Sequence, residues 1–221
     1  MSDVHTALTG RVLDAMAPAA DGTLATMADH AAATDYPVVG PQVGRLLAVL
    51  TRLAGVERAF EFGSGFGYSA YWIARAMPDG GEVVLTDVDT DHLDRARNWF
   101  ADAGLTGRAR FEPGDAHETI ERYDGPFDLV LLDHYNRHYV DALAAARDRL
   151  APGGLVIADN ALSGGSVYLE DIVAALDGGT PETNANTRGT VDFLETLADD
   201  PTLETTLLPL GDGVSVSVGV G

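Results

Sequence analysis

The sequence predicts a doubly wound α/β fold: a mostly parallel, Rossmann-like seven-stranded sheet that ends in a C-terminal antiparallel hairpin. Three observations carry that expectation. Residues 59–62 form a short apolar run that stops at Gly63-Ser64-Gly65-Phe66-Gly67; a helical segment at 68–77 follows, and a second run, 82–86, delivers Asp87 at its end. FDLVLL at 127–132 is a continuous apolar run bounded by Asp128 and Asp133, as expected of a parallel strand buried on both faces. Two strand-like runs, 205–210 and 214–220, are joined by Gly211-Asp212-Gly213 and read as a hairpin. Strand–helix alternation followed by a hairpin gives the doubly wound sheet.

Taken in order, residues 3–17 carry Val4, Leu8, Val12 and Ala15 at helical spacing, and Pro18 closes the segment. Residues 23–34 read as helical, and Tyr36-Pro37 forces an extended link. In 41–54, Val43, Leu46, Leu47 and Leu50 form an apolar stripe, with Pro41 near the helix start. These N-terminal helices (1–54) are expected to form a lid on a core at 55–221, the whole being a single domain. Plain packing against the sheet is an equal reading for the first of them. Beyond Asp87, residues 89–103 read as a helix with Leu93, Ala96, Phe100 and Ala103 on one side, and 108–112 as the third strand before Gly114-Asp115-Ala116. Tyr139, Leu143, Ala146 and Leu150 mark the next helix, ended by Pro152-Gly153-Gly154, and 155–158 is a fifth strand running into Asp159-Asn160. A polar, glycine-rich insertion (164–186) precedes a helix at 187–198.

Composition narrows the classes. The 221 residues with 46% hydrophobic content suffice for one substantial core. No apolar run approaches the ~20 residues of a membrane span, and the N-terminus lacks a basic region followed by an apolar one, so a soluble cytoplasmic protein is expected. Cysteine is absent, which excludes disulfides and thiolate metal sites. The chain has 34 acidic and 14 basic residues, net charge −20, and every basic residue is arginine. Such a surface repels phosphates, so nucleic acid is not the expected partner. The lack of lysine resembles the composition of salt-loving organisms, in whose cytoplasm salt screens the self-repulsion.

Glycines at 63, 65 and 67 let the backbone approach a ligand closely, and the helix behind them offers free N–H groups. An acid about 20 residues on suits a ribose diol. A dinucleotide turn wants G-x-G-x-x-G, but the spacing here is G-x-G-x-G, with Tyr68 and Ser69 where the third glycine would fall. Glu61 adds a carboxylate that would repel a pyrophosphate and attract a sulfonium or an amine. The turn therefore reads as a site for S-adenosylmethionine (SAM). In open α/β sheets ligands sit beyond the carboxyl ends of the strands. The groups delivered there are Glu61, Asp87, Asp115, Asp133 and Asp159-Asn160. Asp133, Asp159 and Asn160 are hard oxygen donors on neighbouring strand ends and suit Mg²⁺. Helix caps or solvated loop acids are the plainer explanation of the two aspartates; against it, both end buried strands on the cofactor edge.

The chain resembles the cation-dependent O-methyltransferases, the family that includes catechol O-methyltransferase and the caffeoyl-CoA O-methyltransferases. The resemblance covers residues 38–162 and the terminal LPLGDG turn. FEFGSGFGYSA is similar to the family's glycine motif, LLDHYNRHY to the catechol enzyme's Leu-Asp-His-Trp-Lys-Asp-Arg-Tyr, and GGLVIADNAL to its G-G-hydrophobic-A-D-N segment. What the resemblance implies is SAM contacts from Glu61, Gly63, Ser64, Gly65, Ser69, Asp87, Val88, Asp115, Ala116, Asp133 and His134, with Val39 and Gly40 flanking the methionine end. It also implies ligation of Mg²⁺ (or Mn²⁺ or Ca²⁺) by Asp133, Asp159 and Asn160, and catalytic positions at Asp133 and Asn136. The expected acceptor is a small catechol-like or phenolic hydroxyl compound, with a second copy of the chain, as a homodimer, an open expectation.

Two departures stand out. The family's catalytic lysine lies three residues after the first metal aspartate, and that position is Asn136. An amide cannot take a proton near neutrality; His138 is the nearest titratable alternative, and on an α-helix its two-residue offset points it away from Asn136. The insertion at 164–186 stands where the family has a tryptophan-containing loop. Two other readings stay open: a tRNA hydroxyuridine O-methyltransferase, and a SAM-binding protein without catalysis.

Overall fold

The computed structural model describes residues 7–16 and 21–220. Val4 and Pro18, expected in and after the first helix, lie outside the described residues. The five parallel strands are β1 (Arg58–Phe62), β2 (Glu82–Asp87), β3 (Ala109–Pro113), β4 (Phe127–Leu132) and β5 (Leu150–Ala158). The last two, β6 (Leu203–Leu208) and β7 (Val214–Gly219), form the antiparallel hairpin. Their order in the sheet is β3-β2-β1-β4-β5-β7-β6, with β7 antiparallel to β5. Strand order reverses between β1 and β4, and the carboxyl ends of those two strands open the crevice that such a sheet offers a ligand.

Helices cover both faces. On one lie α2 (Gly22–Thr34), α3 (Gly40–Ala54), α4 (Tyr68–Ala74) and α5 (Thr90–Asp102); on the other lie α6 (Ala116–Ile120), α7 (Tyr139–Arg147) and α9 (Ala185–Asp199), with α8 (Leu169–Leu176) packed on α9. Side chains alternate along a strand, so β1 sends Ala59 into the first core and Phe60 and Phe62 into the second. Glu61 follows Ala59 toward the first face, beneath the start of α4, and is fully buried. Every residue of α4 is buried, which is why its sequence shows no polar face.

The N-terminal segments divide. Leu24, Met27, Ala31, Val43 and Leu47 of α2 and α3 are buried in the same core as α4, so these two helices are a wall of the fold. In α1 (Ala7–Ala15), Val12 is 60% exposed and Ala15 is exposed. Several boundaries differ from the sequence expectation: α4 ends at Ala74 rather than 77, β6 runs Leu203–Leu208 rather than 205–210, and three others have a clear physical reason. First, α7 stops at Arg147, and Pro152-Gly153-Gly154 lie inside β5, whose ladder with β4 shifts register between Phe127 and Leu129. Proline and glycine are tolerated there because β7 pairs only with residues 155–158. Second, the insertion holds a helix, α8, whose Ile172 is buried against Val191 and Leu194. Third, α9 begins at Ala185 because the Asn184 side chain accepts from the N–H groups of Asn186 and Thr187. Among the described residues no helix is long and apolar enough to cross a membrane.

Candidate active site

The crevice is a cavity of about 1280 Å³ at the carboxyl ends of the strands. Its floor is the glycine turn. Gly63 has φ +80°, and a Cβ there would lie 2.7 Å from the Asp133 carbonyl oxygen and 2.9 Å from His134 Cβ. Only glycine lets the ends of β1 and β4 come this close, where the Asp133 N–H donates to the Phe62 carbonyl at 2.9 Å. Asp87 is held over the turn: its Oδ2 accepts from the Gly65 N–H and its Oδ1 from the Asp89 N–H, both at 2.8 Å.

The sequence places Glu61 in contact with the cofactor, but it lies behind the wall rather than on it. The Ser69 hydroxyl donates to Glu61 Oε1, while Oε2 is buried without a hydrogen-bond partner. Burial pushes the Glu61 carboxyl up to about 7, against the hydrogen bonds from Ser69 and Ser64. All the other expected residues line the cavity: Val39, Gly40, Gly63, Ser64, Gly65, Ser69, Asp87, Val88, Asp115, Ala116, Asp133, His134, Asn136, Asp159 and Asn160.

Asp133 follows β4 and Asp159 follows β5, and the parallel register that pairs Leu132 with Ala158 sets them side by side. The chain between β4 and α7 braces the end of β5 twice. Asn136 Nδ2 donates to the Asn160 carbonyl and the Tyr139 hydroxyl to the Asp159 carbonyl, both at 3.1 Å. Asn160 itself is left-handed, φ 54°, a conformation asparagine tolerates better than most residues. Asp159 is buried, its Oδ1 has no partner, and burial raises its pKa to about 7, with the Asp212 charge adding to the shift. Asp133 is held well above the usual carboxylate range by burial, then by Asp159 and Glu61. A buried and a half-buried carboxyl side by side, one with an orphaned oxygen, are best satisfied by a proton or a cation between them. The donors are all oxygen, so the set fits a hard divalent cation. The Asn160 amide turns its nitrogen to Asp133 Oδ1 at 3.3 Å, so ligation through its oxygen needs a flip of the amide. Among the described residues no group of three or more His, Cys, Asp or Glu side chains is gathered as a metal centre.

At the other end of the crevice, Asp115 caps α6, accepting from the His117 N–H at 2.7 Å. His117 Nε2 lies 3.2 Å from His134 Nε2, and the His134 ring stacks at 21° over His138. Burial, then the neighbouring His117 and His138, push His134 down to about 3, so it is a neutral imidazole at pH 7. Residues 136–138 form a 3-10 turn instead of the expected α-helix, and His138 joins this imidazole group, accepting from Arg137 Nε at 3.0 Å. Sequence reasoning missed three wall residues. His117 directly follows the Asp115-Ala116 turn. Asp212 sits in the hairpin turn, where a Cβ on Gly164 would be 2.8 Å from its carboxylate and 2.4 Å from Asn160 Oδ1. Tyr36 precedes the proline of the α2–α3 link.

A seven-stranded sheet in this order, with a nucleoside turn after its first strand, is the architecture of the class I methyltransferases. Within that class the chain belongs to the O-methyltransferase family, whose sequence profile matches residues 22–219. A Mycobacterium tuberculosis protein with O-methyltransferase in its name is 32% identical over 200 residues, covering 90% of this chain and 85% of its own. Among solved structures, the Streptomyces achromogenes O-methyltransferase TomG, involved in tomaymycin synthesis and crystallised with SAM, is 25% identical with a TM-score of 0.84, covering 97% and 96% of the two chains. An O-methyltransferase from Bacillus cereus, in complex with S-adenosylhomocysteine (SAH), is 26% identical with a TM-score of 0.82, covering 97% and 98%. The protein is thus a SAM-dependent O-methyltransferase.

Proposed function

We propose that the protein transfers a methyl group from SAM to a hydroxyl of a small catechol-like or phenolic acceptor, and that it needs Mg²⁺ or Mn²⁺ to do so. The observation that carries the reading is the adjacent pair of carboxyls, buried Asp159 and half-buried Asp133, with the unpartnered Asp159 Oδ1 beside Asn160. When bound, SAM supplies an electrophilic methyl group, and the cation a Lewis acid that lowers the pKa of an acceptor hydroxyl. Asp133, Asp159 and, after its amide turns, Asn160 would hold the cation. Asp87 would hold the ribose, and the Gly63–Gly65 turn would let the backbone approach the cofactor. The imidazoles of His117 and His134, beside the Asp115-Ala116 turn, would line the adenine end. Asn136 and Tyr139 fix the backbone of residues 159 and 160, holding the acceptor edge within the small tolerance that transfer between two bound groups demands.

Asn136 does not take the acceptor's proton, because an amide has no basic nitrogen and its Nδ2 is already donating. The proton leaves to solvent, and Asp212, which lines the cavity, keeps that end of the crevice polar. A surface of net charge −20 favours a small acceptor over a nucleic acid. The test is transfer of labelled methyl from SAM to a panel of catechols and phenols, in chelator and after adding back Mg²⁺. Restored turnover supports the reading; full activity in chelator rejects the metal, and an inert panel rejects the acceptor class.

A further inference from the structure

Tyr36 stands on the link between α2 and α3, where Asp35 turns left-handed (φ 52°) and the Tyr36 N–H closes the helix on the Ala31 carbonyl at 3.0 Å. The side chain then reaches over the glycine turn. A Cβ on Gly65 would lie 2.6 Å from the Tyr36 hydroxyl and 3.0 Å from its ring, so the phenol fills the space that a side chain at 65 would take. Its ring packs on Phe66 at 5.0 Å and edge-on to His92 at 4.8 Å. His92 in turn brings Nδ1 to 3.5 Å from Asp87 Oδ1. The hydroxyl lies at the cavity wall and has no hydrogen-bond partner among the described residues.

We infer that Tyr36 is a cofactor-contact residue supplied by the N-terminal helical layer, its phenol donating a hydrogen bond to the ribose end of SAM beside Asp87. Three features support this. The phenol stays protonated, and so a donor, across the working pH range: burial, followed by the charges of Asp87, Asp133, Asp89 and Glu61, pushes it up to about 12. The hydroxyl sits over Gly65, whose N–H donates to Asp87 Oδ2 at 2.8 Å, which puts it at the ribose end rather than the methionine end. A donor at a wall with no protein partner is satisfied by water or by a ligand, and a ligand oxygen there converts the position into binding energy. The consequence is that the cofactor is gripped from two layers. The sheet would hold it from below through the glycine turn and Asp87, and the link after α2 would hold it from above. His30 of α2 packs edge-on against Phe66 and Trp99 at 5.3 and 5.4 Å, seating the upper layer on the same turn.

This rests on the SAM site being the crevice over Gly63–Gly65, and binding measurements separate the two claims. Calorimetric titration of wild type and Tyr36→Phe with SAH and with 5′-methylthioadenosine, which keeps the ribose and lacks the amino-acid tail, is the experiment. Phenylalanine preserves the ring contacts, so the ligand-free melting temperature should not move. The expected result is a loss of about 3- to 10-fold in affinity for both ligands, the scale of one net hydrogen bond. Unchanged affinities in Tyr36→Phe overturn the inference, and so does a loss confined to SAH, which would put the phenol on the methionine tail. If SAH does not bind the wild type, or binds Asp87→Ala equally well, the placement of the cofactor fails and the inference with it.

Discussion

The side-chain amide of Asn136 donates to the main-chain carbonyl of Asn160 across 3.1 Å, tying the loop after β4 to the end of β5. The residue at the position of the family's catalytic lysine is thus a structural strut, buried and already engaged. It shapes the acceptor edge without offering a base.

From this follows a prediction about rate. Asn136→Lys should raise kcat near neutrality by about 10-fold or more, since a positioned general base contributes on the order of 10²–10⁴. His138→Ala should change kcat by less than about 3-fold, because His138 stacks with His134, away from the acceptor edge. The profile of kcat against pH decides it: wild type should climb without a plateau set by a side chain. A large loss in His138→Ala, with SAH binding intact, would assign the proton to the imidazole.

Asp159→Asn removes the buried member of the Asp133–Asp159 pair. Loss of Mg²⁺-dependent transfer by at least about 100-fold is expected, with SAH affinity within about 3-fold of wild type, since removing one partner of a charge-ligand set costs several kcal/mol. In chelator the variant should melt no lower than wild type, because burial disfavours the charged Asp159 carboxyl in the absence of a cation. A variant that keeps metal-dependent turnover would remove Asp159 from the ligand set.

Glu61 links stability to pH. Its folded pKa, about 7, stands above the ordinary 4.5, so the folded state binds the extra proton. The contribution is fully present below pH 4.5 and is lost as pH rises through 7, amounting to about 3 kcal/mol on the order-of-magnitude scale of 1.4 per unit. Between pH 5 and 8, wild type in chelator should therefore lose stability relative to Glu61→Gln. Parallel denaturation curves at the two pH values measure it, and an unchanged difference would contradict the burial of the charged form.

Salt should act in the opposite sense to its usual neutrality. With 34 acids and 14 arginines, at least 20 carboxylates lack a cationic partner, and their repulsion is screened as the Debye length falls from about 10 Å at 0.1 M to about 3 Å at 1 M. The melting temperature should rise from 0.1 to 2 M KCl by about 5 °C or more, roughly 2 kcal/mol for a chain of this size. A flat or falling curve would reject the adaptation to salt inferred from composition.

The parallel core was legible because FDLVLL and the run before Gly63 are buried on both faces and carry no competing signal. The ends of β4 and β5 were legible too, since each closes an apolar strand with an acid. Strand β5 was read short because Pro152-Gly153-Gly154 mimics a helix terminator, and only the pairing pattern with β7 shows that a strand tolerates it there. The helix α8 was hidden by flanking glycines, although Leu169, Ile172, Val173 and Leu176 carry helical spacing. Glu61 reads from sequence as a cofactor contact beside the turn; its burial under the start of α4, bonded to Ser69, follows only from strand alternation. Tyr36 and Asp212 come from segments distant in sequence, and no local pattern states that they meet the crevice.

A last consequence concerns Gly189 in α9. A Cβ there would lie 2.4 Å from Arg137 Cα and 2.6 Å from the Asn136 carbonyl oxygen, so the helix and the turn at 136–138 are in backbone contact. For anyone re-engineering the acceptor range, the two segments are one cassette. Grafting a new insertion between β5 and α9 while replacing that glycine would displace Asn136, and with it the carbonyl of Asn160, from more than 20 residues away. Transplants that carry α9 and the turn together should keep the catalytic edge in register.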